Sequence, residues 1–562
     1  MVRPAPPVRH IVSSLALGVA LASPPPAAAQ PTRVRIPTHM STTTRGDRQP
    51  LTRTRVALRT DLGAWSRRVD TSVPAAQRLF DQGMRLYYAA ERADAVAAFR
   101  EAQRADASCR MCRWGEALAL APSIDLTSHP GDESAAQAAI TRALDGLASD
   151  DAAAPWVHAL SVRLLSRAGS RRSARDSAYA DAMRRVVLQD STDPDALTLA
   201  ADALMQRAPR RYWNDDGTPT PSTVDAAAWL ERAMELAPAH PGACTRYIRL
   251  METARPSRAL PCAERLAHRM RRAGHLVHLP AHIYLRTGRM ADALVVLLRA
   301  VQVDSSASHR ADAALARAPL VAHHHDLLGR TAALAGMRAL AMASTAAAER
   351  LVTPALAREH PALEPLLVAR AQLLTHFGDW GAVLRAPLPE EAFPVARALA
   401  LHARGVAFAS THRHVEARAT LDSLRAMLAR WPAQDARRDL VQIAAFVVEG
   451  EDAFYASQFA RAAVAFRNAV ALEDAHATLE PDGWRPSVRH ALGDALLAAK
   501  RAADAEQVFR EDLARFPENA PGLHGLARAL RAQGKHDDAR DAELRFRDAW
   551  RGADFAWRAR RL

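Results

Sequence analysis

One spacing recurs along this chain and limits what it can fold into. A small residue is followed by a second small residue twelve positions on, a bulky apolar residue sixteen on and a further apolar residue nineteen on. Gly83 with Ala95, Phe99 and Ala102 sets the pattern, and Gly450 with Ala462, Phe466 and Ala469 repeats it. Gly405 gives Ala417, Leu421 and Leu424, Ala281 gives Ala293, Leu297 and Ala300, and Tyr247 gives Ala259. Gly493 gives Ala505 and Phe509, and Ala527 with Ala539 follows it after 34 positions. Two small residues at that separation let antiparallel helices approach closely, while the bulky residue fills the space between one helix pair and the next. Gly288, Gly378 and Gly534 stand where the turn needs a residue that ends a helix. With 5% aromatic residues and long Ala- and Leu-rich stretches, the chain favours helices over sheets.

The repeat resembles the tetratricopeptide repeat, and the expected fold is an all-α, tetratricopeptide-like solenoid of about ten helix pairs. The Pro-containing stretch 386–394 interrupts the pattern and suggests an N-terminal array over 71–385 and a C-terminal array over 395–562. Longer spacings near Glu480-Pro481-Asp482-Gly483 are read as inserted loop. Four motifs carry a closer likeness over about 73–350: Phe80-Asp81-Gln82-Gly83 with Leu86-Tyr87-Tyr88; Cys109 to Ala119; Tyr212-Trp213 with Asp216-Gly217; and Gly274 to Arg286. In these the chain resembles exported bacterial tetratricopeptide-repeat proteins of uncharacterised function. The resemblance implies a solenoid and no established activity. Such proteins tend to carry histidines near Thr245 and Arg249 and a two-histidine motif where His323 and Asp326 stand here, so this chain departs from that pattern.

Arg3 and Arg9 precede an apolar run from Ile11 to Ala22, too short to span a bilayer, and Ala27-Ala28-Ala29 supplies small residues for cleavage. Residues 1–29 therefore read as a signal peptide, and the expected location is periplasmic or secreted. Residues 30–70 are rich in Arg, Thr and Pro and read as a disordered linker; the Arg45-Gly46-Asp47 tripeptide within it is attributed to chance. No later segment has the length and apolarity of a membrane span. The net charge of +14 comes almost wholly from Arg, since Lys500 and Lys535 are the only lysines. These Arg residues are interleaved with Asp and Glu, which argues for a solvated mixed surface and against nucleic acid as a partner.

In repeats of this kind the first helix of each pair lines the concave face, at offsets −6, −3, +1 and +4 or +5 from the anchor. Ala281 then gives His275, His278, His282 and Leu285 or Arg286; Gly329 gives His323, Asp326 and Arg330; Gly83 gives Tyr87; Gly115 gives Cys109, Cys112 and Glu116. Three imidazoles on one helical face admit three readings. They could ligate Zn, Cu or Ni together with His323 or Asp326. They could form, with Tyr87, Arg286 and Arg330, a polar surface for a peptide or small ligand. They could also be satisfied between helices. His324 and His325 are read as incidental members of a His run.

Cys244 and Cys262 fall on the two helices of one repeat and are expected to form a disulfide in an oxidising compartment. Cys109 and Cys112 read as a local disulfide or buried thiols and not as a redox centre, since no strand precedes them. Tyr212 to Gly217 reads as an ordered inter-helix loop anchored by Trp213. A Gly-rich phosphate loop, a G-x-S-x-G elbow and an H-E-x-x-H motif are all missing, which points away from catalysis. The leading functional expectation is an exported scaffold that binds a protein or peptide in its concave groove and needs no cofactor. The alternative is a metal-binding protein or metal-dependent enzyme using His275, His278 and His282. The C-terminal groove, with Val488, Gly522 and Gly525 facing it, reads as structural extension or a second docking surface. N-terminal sequencing of the exported protein is expected to begin near Gln30; a start at Met1 would remove the export reading.

Overall fold

A computed structural model describes residues 56–555, apart from 125–130, 167–169, 215, 269–272, 307–310, 434, 436 and 476–486. The signal segment, the Arg45-Gly46-Asp47 tripeptide and the loop at Glu480 to Gly483 lie outside the described residues.

The fold is all-α. Among the described residues there are twenty-five α-helices and two short 3-10 helices, and no strand beyond an isolated bridge between Trp213 and Pro219. Consecutive helices form antiparallel pairs from Pro74–Tyr88 with Arg92–Ala105 through to Ala520–Ala532 with His536–Ala549, and the short Pro354–Glu359 packs on the 3-10 helix Pro361–Val368. The result is a solenoid whose core runs between neighbouring pairs and never gathers into one centre.

The small anchors act as sockets for rings. Phe99 packs against Gly83 of its own pair and against Gly115 of the next, with ring carbons 2.6 Å from where a Gly83 Cβ would stand. Phe509 repeats this between Gly493 and Gly525, and Phe466 sits on Gly450 at 2.5 Å. All three rings are fully buried. Where the anchor is Gly405, Val448 from the following pair occupies the socket at 2.6 Å. Eight of the first helices are followed by a residue of positive φ. Gly288, Gly336, Gly378 and Gly534 supply it in four pairs, but Ala90, His412, Ser457 and Lys500 adopt the same conformation elsewhere. Repeat geometry therefore overrides residue preference at those four turns.

Two expected boundaries differ in the structure. Residues 56–70, expected in a linker, run extended along Pro74–Tyr88 with Leu62 and Val69 buried. The core also does not divide at 386–394. Of its four apolar clusters among the described residues, the largest runs from Leu62 to Leu328 and the next from Ala322 to Ala542, and the helix Ala311–Leu334 contributes to both. Phe393 in the Pro-containing stretch is itself buried in the second cluster. Proline there ends a helix without ending the packing.

The C-terminal end of the solenoid also touches its middle. Arg286 stacks its guanidinium over Phe516 at 4.4 Å, and Gly288 lies against Pro517 and Glu518. Trp550 covers Gly336, while Asp554 accepts from the backbone N–H groups of Arg338 and Ala339 at the start of the helix Arg338–Leu351.

Both cysteine pairs are joined. Cys109 and Cys112 bridge at the start of the helix Arg110–Leu120, where Cys109 is the N-cap. Cys244 and Cys262 bridge two helices with Cα atoms 5.1 Å apart. Closing that loop contributes about 3 kcal/mol by restricting the unfolded chain.

Gly83→Ala places a methyl inside the Phe99 ring. The substitution gains up to about 1 kcal/mol of helix propensity, but overpacking costs about 1–3 kcal/mol. A net loss of stability is expected in urea titrations of Gly83→Ala, and Phe99→Leu in the same chain should recover part of it.

Candidate metal centre

The site is built by three consecutive elements. The helix Gly274–Arg286 carries His275, His278 and His282 on one face. The helix Ala311–Leu334 crosses it with His323 and His324. Asp304, near the end of Met290–Ser306, closes the floor. Both His-bearing helices contain an internal proline, Pro280 and Pro319, which has no N–H to give the helical ladder. Gly274 is required where it stands, because a Cβ there would meet the Asp304 carboxylate. That close approach places the carboxylate at a helix N-terminus, whose partial positive charge favours it.

The five imidazoles converge. His278 is the hub: its ring centroid lies 4.2 Å from that of His324, 5.0 Å from His275 and 5.2 Å from both His282 and His323. Ligand atoms of His275, His278 and His324 lie within 4.8 Å of one another, and so do those of His278, His282 and His323. His278 and His324 are wholly buried, and His275 and His282 nearly so. Neither ring nitrogen of His278 has a hydrogen-bond partner, nor does Nε2 of His324. Burial, reinforced by the four surrounding imidazoles, pushes His278 well below the usual histidine range, so the ring is neutral.

Carboxylates orient two of the rings from behind. His324 Nδ1 lies 2.6 Å from Asp304, and His282 Nδ1 lies 3.0 Å from Glu252. An Nδ1–H held by a carboxylate leaves Nε2 with its lone pair turned toward the neighbouring rings. Burial alone would raise the Asp304 carboxyl, but His324 and Arg317 outweigh it and hold it below its usual value. Arg317 joins Asp304 at 2.9 Å to Glu91 at 3.2 Å, linking this site to the first helix pair. In Glu91 burial dominates and pushes the carboxyl up to about 7, against the pull of Arg317.

The sequence expectation located part of this. His275, His278, His282 and His323 come together as expected. Asp326 does not join them: it pairs with Arg330 at 3.0 Å, one turn along the same helix, and each neutralises the other. His324, read as incidental, takes the position offered to Asp326, because its offset of one residue from His323 turns it toward His278. The sequence pattern does not mark Asp304, Glu252, Arg317 or Glu91. They lie at helix ends on other elements, where no periodic pattern marks them.

The groove expectation is corrected as well. Arg286 is engaged by Phe516, as described above. Tyr87 is buried beside Arg246, whose guanidinium stands 5.9 Å from its ring and pairs with Asp202 at 2.7 Å. The first groove is filled by the chain itself. Gln77, Asp81, Gln82 and Arg85 line one face of Pro74–Tyr88 and clasp the backbone of residues 57–69. Gln82 accepts from Arg59 N at 2.7 Å and donates to Ala57 O at 3.1 Å. Gln77 accepts from Val69 N at 3.0 Å and donates to Arg67 O at 2.8 Å, while Arg85 donates to Trp65 O. Asp81 accepts from Ser66 Oγ at 2.6 Å and Arg67 N at 3.1 Å. Trp65 then meets Tyr88 and His240 edge-on, and Arg67 reaches Asp193 at 2.7 Å and Asp195 at 3.3 Å. Asp195 is also the acceptor for Tyr88 at 2.6 Å. Farther along, Trp213 Nε1 donates to Leu250 O at 2.7 Å and pins the loop before Pro221–Leu236.

No protein-family model matches this chain, and no curated protein matches it. Solved structures give distant likenesses. Human IFIT1, solved as a dimer with m7Gppp-AAAA, aligns at 12% identity over 86% of this chain and 91% of its own, with a TM-score of 0.33. Yeast Tom70 aligns at 11% identity over 84% and 90%, with a TM-score of 0.29. At such scores the likeness bears on neither the site nor the activity. The class defined by this chain's own helices is a tetratricopeptide-like α-solenoid, and no helix of the described residues is long and apolar enough to cross a membrane.

Asp81→Ala removes the acceptor shared by Ser66 and Arg67. Limited trypsin digestion of that variant is expected to cut at Arg59, Arg67 or Arg68 well before the parent chain is cut there. Equal protection of both would show that the clasp does not hold the segment.

Proposed function

We propose that this solenoid is a metal-binding protein that holds a first-row transition ion, zinc or copper, in the imidazole cluster of His275, His278, His282, His323 and His324. One observation carries the reading. His278 is wholly buried, neutral and without a hydrogen-bond partner on either ring nitrogen, yet it is ringed by four other imidazoles. An unsatisfied buried polar group costs about 1–3 kcal/mol. A bound ion removes that penalty and satisfies several rings at once. Imidazole donors suit Zn, Cu and Ni, and the carboxylates behind His324 and His282 are the outer partners that metal-bound histidines commonly have.

The reading of these histidines as a polar surface for a peptide is weaker, because four of the five rings are buried and His323 alone is part-exposed. A scaffold role stays compatible with the metal reading: the ion would stiffen the junction between the two halves of the core while the outer surface meets a protein partner. Export to the periplasm or the medium, inferred from residues 1–29, would place such an ion beyond cytosolic metal buffers.

The chain, purified without tag or chelator, is expected to carry transition metal by inductively coupled plasma mass spectrometry. A His275→Ala/His278→Ala/His324→Ala variant should lose most of it while keeping its helical circular dichroism. Absence of metal from the parent, before and after incubation with zinc or copper, would overturn the reading.

A further inference from the structure

The two three-histidine groups share one member, and that member is His278. On one side stand His275 and His324; on the other stand His282 and His323. A metal ion served by three imidazoles and a water completes a common tetrahedral set. Five rings supply two such sets only if one ring serves both. Imidazole has two nitrogens, and both nitrogens of His278 lie buried without a hydrogen-bond partner. An ordinary metal-bound histidine spends its second nitrogen on a carboxylate or carbonyl. His282 and His324 do this through Glu252 and Asp304, while His278 does not.

The charge is distributed in the same way. Each group contains one ring backed by a carboxylate: His324 by Asp304 in the first, His282 by Glu252 in the second. Each group thus has its own histidine oriented by a carboxylate, as two separate ions would require of their ligands.

We propose that His278 is a bridging ligand, binding one ion through each ring nitrogen, so that the cluster is a dinuclear centre with His275 and His324 on the first ion and His282 and His323 on the second. This rests on the metal reading above and extends it from one ion to two. Bridging requires His278 to lose its ring proton. The resulting imidazolate carries one negative charge between the ions, and the proton passes to buffer as the second ion binds.

Copper(II) is the probe. Metal-free full-length protein is titrated with Cu(II) and followed by electron paramagnetic resonance beside metal analysis. An imidazolate bridge couples two Cu(II) spins. The signal is therefore expected to grow to one equivalent per chain and then to weaken and broaden as the second binds, ending at two copper ions per chain. A His275→Ala/His324→Ala variant should bind one copper with an ordinary, uncoupled spectrum, and its circular dichroism should match the parent. Two ions with uncoupled spectra would overturn the bridge and leave two separate sites. One ion in the parent would overturn the dinuclear centre while the metal-binding reading stands. No copper and no zinc bound would overturn both.

Discussion

The ring of Phe99 resting in the hollow of Gly83 and Gly115 is the contact on which the rest of this solenoid depends. A helix pair has no core of its own. It becomes stable when a bulky residue from its second helix fills a socket on its first helix and another on the next pair. Glycine makes the socket by removing the Cβ that would hold the helices apart, and it costs about 1 kcal/mol of helix propensity relative to alanine. The buried ring offsets that cost, since a fully buried large apolar side chain contributes about 1.5–3 kcal/mol. Phe509 between Gly493 and Gly525 repeats the device near the other end. The spacing it sets brings first helices close enough for side chains of adjacent pairs to meet, and the imidazole cluster is one consequence.

That cluster sits on a helix shared by the two largest apolar cores. The helix Ala311–Leu334 contributes to both, and it carries His323 and His324. Arg317 on the same helix links Asp304 to Glu91, so the floor of the site is tied electrostatically to the first pair. Buried charges of this sort are costly unless paired, and Arg317 stands within ion-pair distance of both carboxyl groups. Occupancy of the cluster would therefore bear on how the two halves of the solenoid hold together.

The extended segment 57–69 occupies the first groove in the way a bound peptide would. It is held through its backbone by Gln77, Asp81, Gln82 and Arg85, and through its side chains by Trp65 and Arg67. The motif Phe80-Asp81-Gln82-Gly83 thus supplies residues that grip the chain's own arm. What looked like an open recognition surface around Tyr87 is an interior.

Much of the fold was legible in the sequence because it is periodic: offsets of twelve and sixteen report contacts between helices of fixed geometry, and offsets of three and four placed His275, His278 and His282 on one face. Cys244 and Cys262 were legible for the same reason. Tertiary structure decided the rest. Which neighbour on the helix Ala311–Leu334 meets His278 depends on how that helix is rotated, and two positions along it, more than half a turn, separate His324 from Asp326. Asp304 and Glu252 reach the histidines from helix ends, where periodicity carries no information. Residues 56–70 have no repeat at all, so their burial could not be read from pattern. The sequence by itself determined the repeating helix pairs and the imidazole face, because both are local on a helix. The packing of one pair on the next decided which side chains complete the centre, because helix rotation and the course of an extended arm are set by contacts far apart in the chain.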